Sequence, residues 1–134
     1  MNIDLSAINY LAVVVSAASI FAIGGLWYSV VFAKAWMAAS GMTDERVRQG
    51  SQAMKFAGAF LLSLVASFIL AMFIGKDAGV VVGLMAGLFA GLGWVAPFVG
   101  IYYIFEHRPF AHFALNAGYG VVSLSVMGLI LGAW

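Results

Sequence analysis

The sequence predicts an all-α polytopic membrane protein, four transmembrane helices packed as a bundle with both termini outside. Three observations predict it. Of the 134 residues, 65% are hydrophobic and only 8% are Asp, Glu, Lys or Arg, whereas a domain that faces water carries roughly 25%. The apolar residues fall in four runs, each near the ~20 residues a helix needs to cross a hydrocarbon core of about 30 Å. The six Lys and Arg are unevenly shared between the connections. A β-barrel is excluded, since the runs are long and do not alternate.

The first run spans about 8–32. It follows Met1-Asn-Ile-Asp-Leu-Ser6, which lacks the positive leader of a signal peptide, and it is too long for a cleavable core. It is therefore expected to be retained as a span. The connection 33–53 carries Lys34, Arg46 and Arg48, with Lys55 just beyond it. Within it Thr43-Asp-Glu45 has the pattern of a helix start, a hydroxyl cap followed by acids at the positive dipole end. The segment reads either as a short interfacial helix or as a solvated loop that carries orienting charge. The second run, about 54–75, ends at Gly75-Lys-Asp-Ala-Gly79, a tight turn holding the one basic residue of the opposite side, Lys76. The third, about 79–104, leads to Glu106-His-Arg108, and the fourth covers about 112–133. Lys and Arg concentrate in cytoplasmic connections, so 33–53 and 105–111 belong inside and both termini outside.

Small residues define the packing faces. Gly79, Gly83, Gly87 and Gly91 recur every four residues along the third run. Ser63, Ser67 and Ala71 do so in the second, and Gly128 and Gly132 in the fourth. In lipid, helices associate through close backbone approach and hydrogen bonds rather than through the hydrophobic effect. The third-run groove fits two uses, against the second span through the tight turn or between subunits of a homo-oligomer. Gly93 and Pro97 stand one turn apart, where the missing N–H and the crowded carbonyl of Gly93 predict a kink. A faint internal duplication aligns Phe21-Ala-Ile-Gly-Gly-Leu-Trp27 with Phe89-Ala-Gly-Leu-Gly-Trp94, as two tandem hairpins would.

Polar and aromatic residues crowd the cytoplasmic half. His112, Asn116, Tyr119 and Ser123 recur at steps of four, three and four, one stripe of the fourth helix that must face protein or water. With Trp27, Tyr28 and Trp94 it lines either an inward-facing cavity or an interhelical hydrogen-bond seam beside an aromatic belt. Catalytic motifs are missing: there is no Gly-x-Ser-x-Gly, no His-Glu-x-x-His, no phosphate-cradling glycine loop and no paired intramembrane carboxylate. No span centre carries an ionisable group, which argues against a proton-coupled exporter. His107, His112 and Glu106 lack metal-ligand spacing, and the sequence has no cysteine, so no metal and no cofactor is expected. The net charge of +1 points to no nucleic-acid partner; membrane lipid is the expected surrounding.

Asn9-Tyr-Leu-Ala-Val13, Gly25-Leu-Trp-Tyr-Ser29, Phe32-Ala-Lys-Ala-Trp-Met37 and Asn116-Ala-Gly-Tyr119 followed by Met127-Gly128 together resemble the bacterial membrane proteins grouped as domain of unknown function 1761. The likeness runs over essentially the whole chain. It implies a four-span protein of the bacterial inner membrane and brings no activity. In that family a histidine commonly follows the Asn-Ala-Gly-Tyr segment, where this chain has Gly120. The leading expectation is a structural or accessory protein acting through helix contacts and homo-oligomerisation. A small-solute transporter or channel with an inward polar-aromatic cavity is the alternative. A membrane enzyme or lipid-binding protein using His112 and Tyr119 comes third.

Overall fold

A computed structural model describes residues 3–134, and among these residues every regular element is helical. Asp4 caps a short turn, Leu5–Ala7, by accepting from the amide of Ser6. Helix α1 (Tyr10–Leu26) starts where the side chain of Asn9 accepts from the amide of Ala12, and it runs into a π-turn at Trp27–Val31. Two short helices follow, α2 (Ala33–Ser40) and α3 (Asp44–Val47). The long helix α4 (Gln52–Ile74) is capped by Ser51. Next come α5 (Val80–Ala90), a second π-turn (Gly91–Val95), α6 (Ala96–Phe105) and α7 (Phe110–Ala133).

Four continuous helical stretches are long and apolar enough to cross a membrane: Tyr10–Val31, Gln52–Ile74, Val80–Phe105 and Phe110–Ala133. The chain is a multi-pass membrane protein. Each stretch buries only about a fifth of its residues within the chain, because most of the surface is left to lipid.

The connection 33–53 is more structured than a solvated loop. Thr43 does cap a helix, its hydroxyl accepting from the amide of Arg46 at 3.2 Å, but α3 is a single turn. The larger element is α2, which packs on α7 and ends at Gly41 in the left-handed conformation (φ 72°).

The two hairpins close by different chemistry. Helix α1 meets α4 through hydroxyls: the buried side chains of Ser16 and Ser67 lie 2.5 Å apart, and Ser67 also donates to the carbonyl of Val13 at 2.9 Å. Helix α5 meets α7 through glycine. A Cβ on Gly83 would stand 2.1 Å from the carbonyl oxygen of Gly128, and one on Gly87 1.9 Å from that of Leu124. Gly132 lies against Gly79 and Gly83, and Gly91 against Val121. The third-span groove is thus filled from inside the chain, by the fourth span and not by the second. Helix α7 is the hub, touching α1, α2, α4, α5 and α6. Leu70, Ile74 and Met127 form the apolar core in the half of the bundle nearer the termini.

Pro97 falls just after the π-turn, inside the continuous stretch Val80–Phe105, so its missing N–H leaves one helical carbonyl without its usual donor. The irregularity expected at Gly93 and Pro97 takes the form of the π-turn just before it, in which the amide of Ala96 reaches back to Gly91. Widening the helix there relieves the crowding between the ring and the carbonyl of Gly93. Both halves of the chain carry a π-turn in their first span, although the two turns stand at different places in the aligned segments.

Candidate functional site

The basic residues are segregated by the fold. The turn between α4 and α5, the segment after Ile3 and the C-terminal Leu131 and Trp134 gather around one cavity of about 340 Å³ that holds Lys76. At the opposite end α2, α3, the α6–α7 turn and the start of α7 surround a larger cleft of about 660 Å³. Arg46 and Arg108 stand in this second lining.

The floor of the cleft is Asn116. Its side-chain carbonyl accepts from the hydroxyl of Tyr28 at 2.7 Å, and its amide donates to the hydroxyl of Tyr103 at 2.6 Å. One amide therefore ties α1 and α6 to α7. The walls are aromatic. Trp36 meets Tyr28 edge to face with centroids 5.5 Å apart, and Tyr103 lies 4.8 Å from the ring of His112. His112 lines the cleft while 4% exposed, and its Nδ1 is buried without a hydrogen-bond partner.

The rim is cationic. Arg108 donates to the carboxylate of Glu106 at 2.6 Å and places its guanidinium 5.2 Å from the centre of the Tyr103 ring. The hydrogen bond it donates to Glu106 makes Arg108 hold its proton more firmly than an ordinary arginine. Among the described residues this is the only ion pair, so Arg46 lines the cleft without a salt bridge.

The stripe on α7 is thereby divided. His112 and Asn116 reach the cleft. Tyr119 turns to α1, its hydroxyl donating to the carbonyl of Ile20 at 3.3 Å and its ring lying 5.1 Å from Tyr28. Ser123 is buried deeper, 3% exposed, with no partner for its hydroxyl. Trp27 supports the wall from behind, donating its indole N–H to the carbonyl of Leu115 at 3.0 Å and packing 4.7 Å from Phe32.

Trp94 does not belong to this group. It is 62% exposed on the outer surface of the bundle. The expectation that it faces Tyr28 across a cavity is corrected, because its place in the π-turn turns it toward lipid. Gly93 beside it has nothing within 4 Å of a Cβ. Gly120 packs on Val95, whose Cγ1 would stand 2.8 Å from an added Cβ, so a histidine there would displace Val95.

Trp36, Ser40, Met42, Arg46, Tyr103 and Arg108 complete the cleft and were not assigned to it from sequence. Only their type gave a signal, since aromatic and basic residues near a span end read equally well as belt and anchor. A family model described as "Protein of unknown function (DUF1761)" matches residues 11–132. Neither the curated proteins nor the solved structures contain a match.

Proposed function

We propose that this chain, which belongs to the family of proteins of unknown function named DUF1761, takes a small solute into a cavity open to the cytoplasm, as a permeation or transport protein does. The observation that carries the reading is the 660 Å³ cleft at the basic end, floored by an asparagine fixed between two phenols. A packing seam would leave no such volume beside its hydrogen bonds. The excess of Lys and Arg at that end supports a cytoplasmic face in an inner-membrane protein, with both termini outside.

The sequence has no cysteine, so a single introduced thiol reports alone. A charged methanethiosulfonate added from the cytoplasmic side should label Asn116→Cys and leave Ser123→Cys unlabelled. Failure to label position 116 from that side would sink the cavity reading.

A second reading, an accessory protein acting as a homo-oligomer, draws on three other glycines. Gly25, Gly58 and Gly93 lie within spans with nothing of the chain within 4 Å of a Cβ, leaving backbone open to a neighbouring helix. The oligomer mass of the purified protein, compared with that of a Gly58→Leu variant, tests this reading.

A further inference from the structure

The inner cleft is built to favour one sign of ligand, and we propose that it selects a small organic anion: a carboxylate carried on a flat apolar ring. This rests on the cleft being a ligand site at all.

Tyr28 spends its proton on Asn116 and keeps an acceptor oxygen, but the other internal hydrogen bonds of the lining leave donors over. Tyr103 accepts from Asn116, so its own phenolic proton is free to be donated. Ser40 accepts from the amide of Met42 at 3.3 Å, and its hydroxyl proton is free in the same way. Asn116 spends one amide N–H on Tyr103 and keeps the second. Arg46 forms no ion pair among the described residues, though Asp44 and Glu45 precede it in α3, and it offers five N–H donors in a planar fork. Arg108 gives its Nε to Glu106 and retains its terminal N–H groups. The one lining carboxylate neighbour, Glu106, is thereby occupied. A cleft whose spare groups are mostly donors, with an unpaired guanidinium at its rim, favours a carboxylate, which only accepts.

The body of the ligand follows from the walls. Tyr28, Trp36 and Tyr103 present ring surface, and offset or edge-to-face contact with a planar ring is what such walls favour. An ammonium would also find aromatic faces, but it would meet Arg46 and Arg108 at the entrance. The buried, unpartnered Nδ1 of His112 marks a wall whose polar capacity the chain itself does not use up.

The test uses the full chain in lipid nanodiscs, with radiolabelled naphthoate and its neutral and cationic counterparts, naphthamide and naphthylmethylammonium. Retention by empty nanodiscs is subtracted. Saturable retention of naphthoate is expected, with the other two probes bound at least tenfold more weakly. Arg46→Gln should weaken naphthoate by about tenfold, as loss of a charge-assisted hydrogen bond does. Arg48→Gln, an equally basic neighbour on the same connection that does not line the cleft, should leave it unchanged. Equal retention of all three probes overturns the charge selection while leaving the cavity standing. So does an equal loss in Arg46→Gln and Arg48→Gln, which would mark general surface attraction. No retention of any probe, in protein whose Asn116→Cys variant is labelled from the cytoplasmic side, overturns the ligand class. Absence of that labelling overturns the cavity itself.

Discussion

Gly87→Ala tests the α5–α7 seam at its tightest point. The added Cβ would stand 1.9 Å from the carbonyl oxygen of Leu124 and 2.6 Å from its carbon. Ordinary C···O contacts begin at about 3.3 Å, so the two backbones must part by about 1.4 Å. Both obstructing atoms are backbone, and no rotamer change relieves them. A gap of 0.5–1 Å already forfeits roughly a quarter to a half of a dispersion contact, and here the opening extends to Gly83 and Gly91 one turn away on either side. Overpacking costs about 1–3 kcal/mol, and an immovable backbone puts this site near the upper limit. A loss of about 3 kcal/mol, roughly two orders of magnitude in the folded ratio, is expected. The assay is unfolding by SDS titration in mixed micelles, followed by tryptophan fluorescence. Gly93→Ala is the internal control, since nothing lies within 4 Å of its Cβ, and it should match or exceed the parent. A Gly87→Ala protein within about 1 kcal/mol of the parent would refute the reasoning, because natural cores absorb errors of that size by ordinary relaxation.

Ser67→Ala removes the donor to Val13 and the contact with Ser16, and the same titration should show a loss of about 0.6–1.7 kcal/mol, the range for interhelical hydrogen bonds in bilayers. Trp27→Phe should lose a similar amount with its bond to Leu115, whereas Trp94→Phe, on the exposed surface, should stay within about 0.5 kcal/mol of the parent. At the other end of the bundle, hydrogen bonds from the Ser6 hydroxyl and amide hold the carboxyl of Asp4 below its ordinary value of 3.8. The turn they close is therefore fully supported above that ordinary value and is lost as pH falls through the lowered one. Protection of the Ser6 amide, its exchange rate relative to the intrinsic rate at each pH, should follow that titration and lose this pH dependence in Asp4→Asn.

Much of the architecture was written in hydropathy, because a hydrocarbon solvent demands long apolar helices whatever their packing. The four-residue glycine spacing was equally plain, but its partner was not. Periodicity says that a face is small, not which helix fills it, and Gly79–Gly91 meets the fourth span. Half of the site was legible in the same manner. His112 and Asn116 were read from the stripe of α7, since a polar residue inside a span must find protein or water. Trp94 lies outside the cleft, and Tyr103 inside it. Neither placement follows from a constant helical period, and the third span does not keep one.

The π-turn at Gly91–Val95 is what joins the packing seam to the cleft. At about 100° per residue, the position eleven residues beyond Gly91 returns to within about 20° of the same face, and the position after it falls about 120° away. An unbroken α-helix would therefore aim Tyr102 at α7 and Tyr103 aside. One residue is accommodated in the wider turn, and the register shifts by one: Tyr102 is 60% exposed, while Tyr103 bonds Asn116. Gly100 shows the same shift, lying against Phe113, whose ring would stand 3.2 Å from an added Cβ. Before the turn, glycine draws α5 onto α7 at backbone contact. After it, the face that meets α7 carries a phenol, which must reach across a gap to Asn116 instead of closing it. The π-turn, a feature that recurs at functional sites, sets which phenol of the third span reaches Asn116. The place of Tyr103 in the cleft lining is thus a consequence of one residue's worth of helical register.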